Sequence, residues 1–141
     1  MKLSAADIAF SQCVRSAYDY VCQKCGIQKP PVSRRGGSGM ELSHRFGRRH
    51  RTIRWCKENG DCLCSGCHRH FEENPLDYSA WIIARDGEGV VDLLREKRDS
   101  MVKVPKSEEK EIAKHYREQL KTIEDKRLEG QTGYIDFQSY Q

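Results

Sequence analysis

Two Cys-x2-Cys pairs, Cys22 with Cys25 and Cys64 with Cys67, constrain this chain more than any other feature. Each pair grips two corners of a tetrahedron, so one Zn²⁺ would join two pieces of chain separated by residues 26–63. A glycine stands beside or inside each pair (Gly26, Gly66), where backbone amides must turn toward thiolates. A metal is also what a thin core calls for. With 141 residues and 37% hydrophobic content, the chain supports one small domain, or a smaller core with helical appendages. A structural zinc contributes folding free energy directly, on the order of 10 kcal/mol in finger-sized units. Seven cysteines is an odd number, and neither a leader nor an apolar run near membrane-spanning length is present. That pattern predicts reduced thiols in a cytoplasmic protein with no membrane partner, rather than a disulfide framework.

The elements are placed around those pairs. Ser4 caps a helix expected over Ala5–Ser16, with Ile8, Cys13 and Val14 inward. Residues 19–26 read as a short strand entering a tight zinc turn, and Pro30-Pro31 ends regular structure. A flexible Arg-Gly-Ser loop follows over 34–39. Met40–His44 alternates as a strand, Asn59–Leu63 forms its partner, and Cys67–Phe71 opens a helix that stops at Asn74-Pro75. Turn, strand pair and helix start together describe a treble-clef zinc site. Two short helices, Tyr78–Ala84 and Val90–Lys97, are expected to pack through Trp81, Ile82, Ile83, Val90, Leu93 and Leu94. Ser107–Leu128 is the longest helix, with acids at its start and Lys126-Arg127 at its end, as the helix dipole favours. Its narrow stripe of Ile112, Tyr116, Leu120 and Ile123 either packs on the domain or pairs with a second copy as a homodimer. Residues 130–141 carry no readable function.

Charge is distributed unevenly. The net charge of +4 is modest, but residues 34–54 hold seven arginines and a single acid, Glu41. Guanidinium groups match phosphate oxygens in a planar, two-point fashion, so Arg45, Arg48, Arg49, Arg51 and Arg54 are candidate contacts to a DNA backbone. Histidine is the side chain most readily tuned as a base near neutral pH. His44 ends the first strand, His68 follows a zinc cysteine, and Asn59 lies five residues before Cys64. His50, inside the arginine run, reads as a surface residue.

The order Cys22-x2-Cys25, Ser43-His44, Asn59, Leu63-Cys64-x2-Cys67-His68 resembles the zinc-stabilised HNH endonucleases over residues 10–81. The arrangement of Arg48-Arg49, Thr52-x-Arg54-Trp55, Asn74-Pro75 and Tyr78 is similar to phage-encoded members, including the NinG/Rap recombination nucleases. The resemblance implies a small α+β fold with a ββα-metal core, an N-terminal helix before it and helices after it. It divides the chain into a nuclease core (1–76), a helical extension (77–128) and a tail (129–141). By the same resemblance His44 is the general base and Asn59 the residue that holds its loop. His68 is then a ligand of a catalytic Mg²⁺ or Mn²⁺, and the reaction is hydrolysis of DNA phosphodiester bonds in the cytoplasm of an infected host. Ser43 departs from the family, which places Asp or His there as a further ligand of that ion; serine is a neutral, poorer one. Glu41, on the same strand face, either stands in for the carboxylate or is a solvent-facing strand residue. A zinc module that binds DNA without cutting it is the alternative function.

Overall fold

The computed structural model describes residues 2–30 and 39–141, so most of the loop expected over 34–39, with Arg34 and Arg35, lies outside the described residues. Helix α1 spans Ala5–Ala17 and opens on a reciprocal cap. Ser4 Oγ accepts the Asp7 N–H at 3.2 Å, and an Asp7 carboxylate oxygen accepts the Ser4 N–H at 2.9 Å. Ala6, Ala9, Phe10, Cys13, Val14 and Ala17 are buried along one face. Ile8, expected inward, is 49% exposed. At 3.6 residues per turn it stands about 200° round the helix from Phe10.

After α1 the chain reverses through Asp19 and Tyr20, both in the left-handed region (φ 54° and 56°). That conformation is incompatible with an extended run, so the short strand expected within 19–26 is reduced to a single bridge between Val21 and Gln28. The turn between them closes through Cys22 N–H to Ile27 O and Gly26 N–H to Cys22 O, with Gly26 at φ 78°, where a side chain would be strained.

Strands β1 (Met40–His44) and β2 (Gly60–Cys64) pair antiparallel, with His44 opposite Gly60 and Ser43 opposite Asp61. A Cβ on Gly60 would stand 3.0 Å from Leu42 and 3.2 Å from the Phe10 ring, so glycine is what lets α1 lie across the hairpin end. Gln23 locks the zinc turn onto β2. Its amide donates to Asp61, its side-chain oxygen accepts the Cys62 N–H, and its backbone N–H reaches Cys62 O.

Helix α2 (Ser65–Glu73) follows β2 without a break, and α3 (Pro75–Asp86) starts on a proline that needs no N–H at that position. Tyr78 and Trp81 of α3 pack on Phe71 of α2, Tyr78 in a parallel stack at 4.5 Å. In α3 and α4 (Glu88–Arg98) only Ile82 and Leu94 are buried, while Ile83 and Leu93 are each 39% exposed. These helices form an arm with less core than the sequence pattern suggested.

Helix α5 (Glu109–Leu128) is entered through a 3-10 turn at Lys106–Glu108. Ile112, Tyr116 and Ile123 are buried in the same core as α1, where Tyr116 meets Phe10 edge-on at 4.9 Å. Of the two uses expected for the stripe, packing on the domain is therefore the one the fold makes. Truncating Phe10 to alanine should cost about 3–5 kcal/mol. The last residues also belong to this core. Ile135 and Phe137 are buried, Ile135 N–H donates to Ala17 O, and Tyr116 Oη donates to Trp55 O.

Candidate functional site

The four sulfurs of Cys22, Cys25, Cys64 and Cys67 lie within 4.8 Å of one another, with Cys25 and Cys64 3.7 Å apart. A tetrahedron with Zn–S bonds of about 2.3 Å has an edge of about 3.8 Å, so the cluster has the dimensions zinc requires. Cys64 is the N-cap of α2 and its sulfur faces the Cys67 N–H at 3.5 Å. The positive end of that helix favours thiolates. Cys13, Cys56 and Cys62 are buried singly, and burial pushes their thiols up to about 12, 11 and 12. They stay protonated and take no part in the cluster.

Above α2, between the hairpin and α1, runs a groove of about 640 Å³ lined by His44, His68, Glu41, Glu72, Arg15 and Arg48 among others. Its two histidines are held in contrasting ways. His44 Nε2 sits 3.0 Å from the Arg54 carbonyl oxygen. A carbonyl only accepts, so Nε2 carries the proton and Nδ1 is bare. Burial holds the imidazole down to about 4, which keeps it neutral at pH 7. The loop that presents the carbonyl is stapled by Asn59, which is completely buried. Asn59 Oδ1 accepts the Phe46 N–H at 2.8 Å, and Nδ2 donates to Phe46 O and Ile53 O at 3.0 and 3.1 Å. His68 instead lies between two carboxylates, Glu41 at Nδ1 (2.8 Å) and Glu72 at Nε2 (3.2 Å). The two carboxylates meet opposite nitrogens of the ring, and among the described residues only the four cysteines converge as a ready-made metal-ligand set.

Ser43 lines the same groove but is engaged elsewhere. Tyr78 Oη donates to Asp61 Oδ2 at 2.7 Å, so Ser43 Oγ gives its proton to Tyr78 Oη at 2.9 Å. Asp61, buried, also receives Arg45 through two bonds of 2.8 and 2.9 Å.

The arginines divide. The Arg45 side chain is buried between Asp61 and Asp86, and these carboxylates outweigh the burial that opposes its charge. Arg54 is buried against Asp7, and Arg51 is bound to Val104 O and Glu109 while stacking on Trp55. These three are structural pairs rather than free phosphate contacts. Arg49 is exposed and donates to His50 at 3.2 Å, outside the groove. Arg48 lines the groove and forms no ion pair among the described residues. Arg15 of α1, not anticipated, joins it there. Glu72 was also missed, although its i, i+4 spacing from His68 on a helix was readable.

The family model described as the bacteriophage lambda NinG protein matches residues 45–126, more than half of the chain. The chain belongs to the NinG family. The matched segment contains Asn59, Cys64, Cys67, His68 and Glu72, and starts one residue after His44. This NinG-family chain thus draws Cys22, Cys25, Glu41 and His44 from outside the match, and the fold brings them to the matched half of the site. No curated protein and no solved structure matches the chain at a comparable level. Among the described residues no helix is long and apolar enough to cross a membrane.

Proposed function

We propose that this chain is a metal-dependent endonuclease that hydrolyses DNA phosphodiester bonds, serving phage DNA processing or recombination in the host cytoplasm. The observation that carries the reading is the groove's pairing of a neutral, backbone-fixed His44 with a His68 flanked by Glu41 and Glu72. A phosphodiester is cleaved when water attacks phosphorus while charge grows on the oxygens. His44 Nδ1 takes a proton from that water as the new P–O bond forms. The bond to the 3′ oxygen breaks, leaving a 5′-phosphate and a 3′-hydroxyl once the oxygen gains a proton from solvent. His68 with Glu41 or Glu72 would hold Mg²⁺ or Mn²⁺, whose charge would stabilise the pentavalent transition state and the leaving oxygen. Arg48 and Arg15 steer the DNA backbone into the groove without reading bases. Asn59 keeps the 46–53 loop closed, up to the peptide that precedes the one facing His44. The four-cysteine cluster, closed by protein ligands alone, would hold one structural Zn²⁺ and anchor α2 beneath the groove.

The test is relaxation and linearisation of supercoiled plasmid with Mg²⁺, Mn²⁺ or chelator, followed by linear duplex, single-strand and four-way-junction substrates. Metal-dependent cutting is expected. Binding of DNA with no cutting under any metal would leave the non-catalytic zinc module as the function.

A further inference from the structure

Resting on the nuclease reading, we propose that Asp7 is a positioning residue for His44, acting through the Arg54–Trp55 peptide. The His44 proton on Nε2 is received by the carbonyl of that peptide, at 3.0 Å. Asn59 fixes the neighbouring peptide at Ile53 but does not bond to this one. The Arg54–Trp55 plane is set by other groups. Its N–H donates to Gln141 Oε1 at 2.9 Å. The side chains at both of its ends converge on one carboxylate: Arg54 Nε and Trp55 Nε1 donate to Asp7 Oδ1 at 2.9 and 3.1 Å, and Arg54 Nη2 donates to Oδ2 at 2.6 Å.

Asp7 is a suitable anchor because it is itself immobilised. Its Oδ2 closes the cap of α1 with Ser4 N–H and Oγ, and α1 is packed on α5. A capping role alone uses only Oδ2. The second oxygen serves the peptide that holds His44. Asp7 is 4% exposed and the Arg54 side chain 8%, and both Asp7 and His44 line the groove. A rigid helix is thus tied, through two buried side chains and one peptide plane, to the ring that must aim at water. Misplacement of a reacting group by about 1 Å is enough to slow an enzyme by about 100-fold.

The experiment compares the parent, Asp7→Asn, His44→Ala and the double variant, each full length, zinc-loaded and shown to be folded by circular dichroism at the assay temperature. Single-turnover cleavage of a labelled duplex with saturating Mg²⁺ or Mn²⁺ and DNA affinity without turnover are measured on all four. The His44 imidazole is followed by long-range ¹H–¹⁵N spectra. Asp7→Asn should slow cleavage by about 10- to 100-fold, leave DNA affinity within about twofold, and add no further loss in the His44→Ala background. The Nε2 proton should exchange slowly in the parent and become fast-exchanging or mixed in tautomer in the variant. Should Asp7→Asn fold poorly, Arg54→Lys, which keeps the charge and loses the two-point contact, reads the same link. Cleavage by the variant at the parent rate, an equal loss in both His44 backgrounds, or an unchanged imidazole spectrum would overturn the proposal. If the parent itself does not cut, the nuclease reading fails, while the imidazole spectra still decide whether Asp7 sets His44.

Discussion

Cys67 and His68 are adjacent residues on the first turn of α2, yet they belong to two clusters built on opposite principles. The sulfur cluster is closed: four ligands come from two distant segments, and every corner of the tetrahedron is a protein atom. The histidine–carboxylate group, proposed to hold the catalytic ion, is open: one imidazole stands between two solvent-facing acids beside a groove. A closed set gives up reactivity for folding energy, whereas an open set leaves positions for water and phosphate. The helix start is where the two meet, so the stability of the first cluster fixes the position of the second.

The largest effect that can break this comparison is loss of the closed cluster. Cys64→Ser, or Cys22→Ser, should lose zinc and fold together, since metal binding of this kind is worth on the order of 10 kcal/mol. Elemental analysis of the purified parent should find one zinc per chain. A reduced, folded sample free of zinc would remove the structural role assigned to the sulfurs. The open cluster should respond differently. Glu41→Gln and Glu72→Gln should keep zinc and fold while raising the Mg²⁺ concentration for half-maximal cleavage by about 10-fold. An unchanged metal titration in both would return the two acids to the status of surface residues.

Ser43 sharpens the boundary between the clusters. Because its hydroxyl serves Tyr78 beside the buried Asp61, Ser43→Asp would place a second carboxylate against that acid. It should destabilise the fold by about 1–3 kcal/mol in urea unfolding. A variant of parental stability with a lower Mg²⁺ requirement would show instead that position 43 still reaches the ion.

The smallest effect is a pH slope. Burial depresses His44 to about 4, below the roughly 6.5 of an unfolded histidine. Between those values only the unfolded chain binds the proton, so this contribution is complete above about pH 6.5 and is lost as pH falls toward about 4. The parent should therefore lose stability more steeply than His44→Gln between about pH 7 and 5.5, by thermal unfolding. Parallel curves would mean that His44 is not buried as neutral imidazole.

Much of this was readable from the chain because zinc ligation and strand alternation leave spacing signatures. The four-cysteine set, the Met40–His44 strand, the α2 start and the α5 stripe follow local periods. The misses have a common cause in long-range contacts that no local period records. Arg45 and Arg54 read as free cations in sequence, whereas the fold brings Asp61, Asp86 and Asp7 to them from 16, 41 and 47 residues away. Hydrophobicity alone points Ile8 inward, although the buried face of α1 is set by what α5 and the tail cover. The tail itself is polar and aperiodic, yet Ile135 and Phe137 are buried, while Ser139 and Gln141 bond to backbone at Lys57, Trp55 and Arg51.

The claim at the centre is that His44 is the base of a metal-dependent nuclease built on an intact zinc core. Cleavage of duplex DNA by the parent and by His44→Ala, with zinc content and DNA affinity read on the same preparations, tests it most directly. The account predicts one zinc per chain and near-equal affinity in both, with cleavage by the variant slower by about 10²–10⁴. Equal cleavage by the two proteins, or none by a folded, zinc-loaded parent supplied with Mg²⁺ or Mn²⁺, would contradict it.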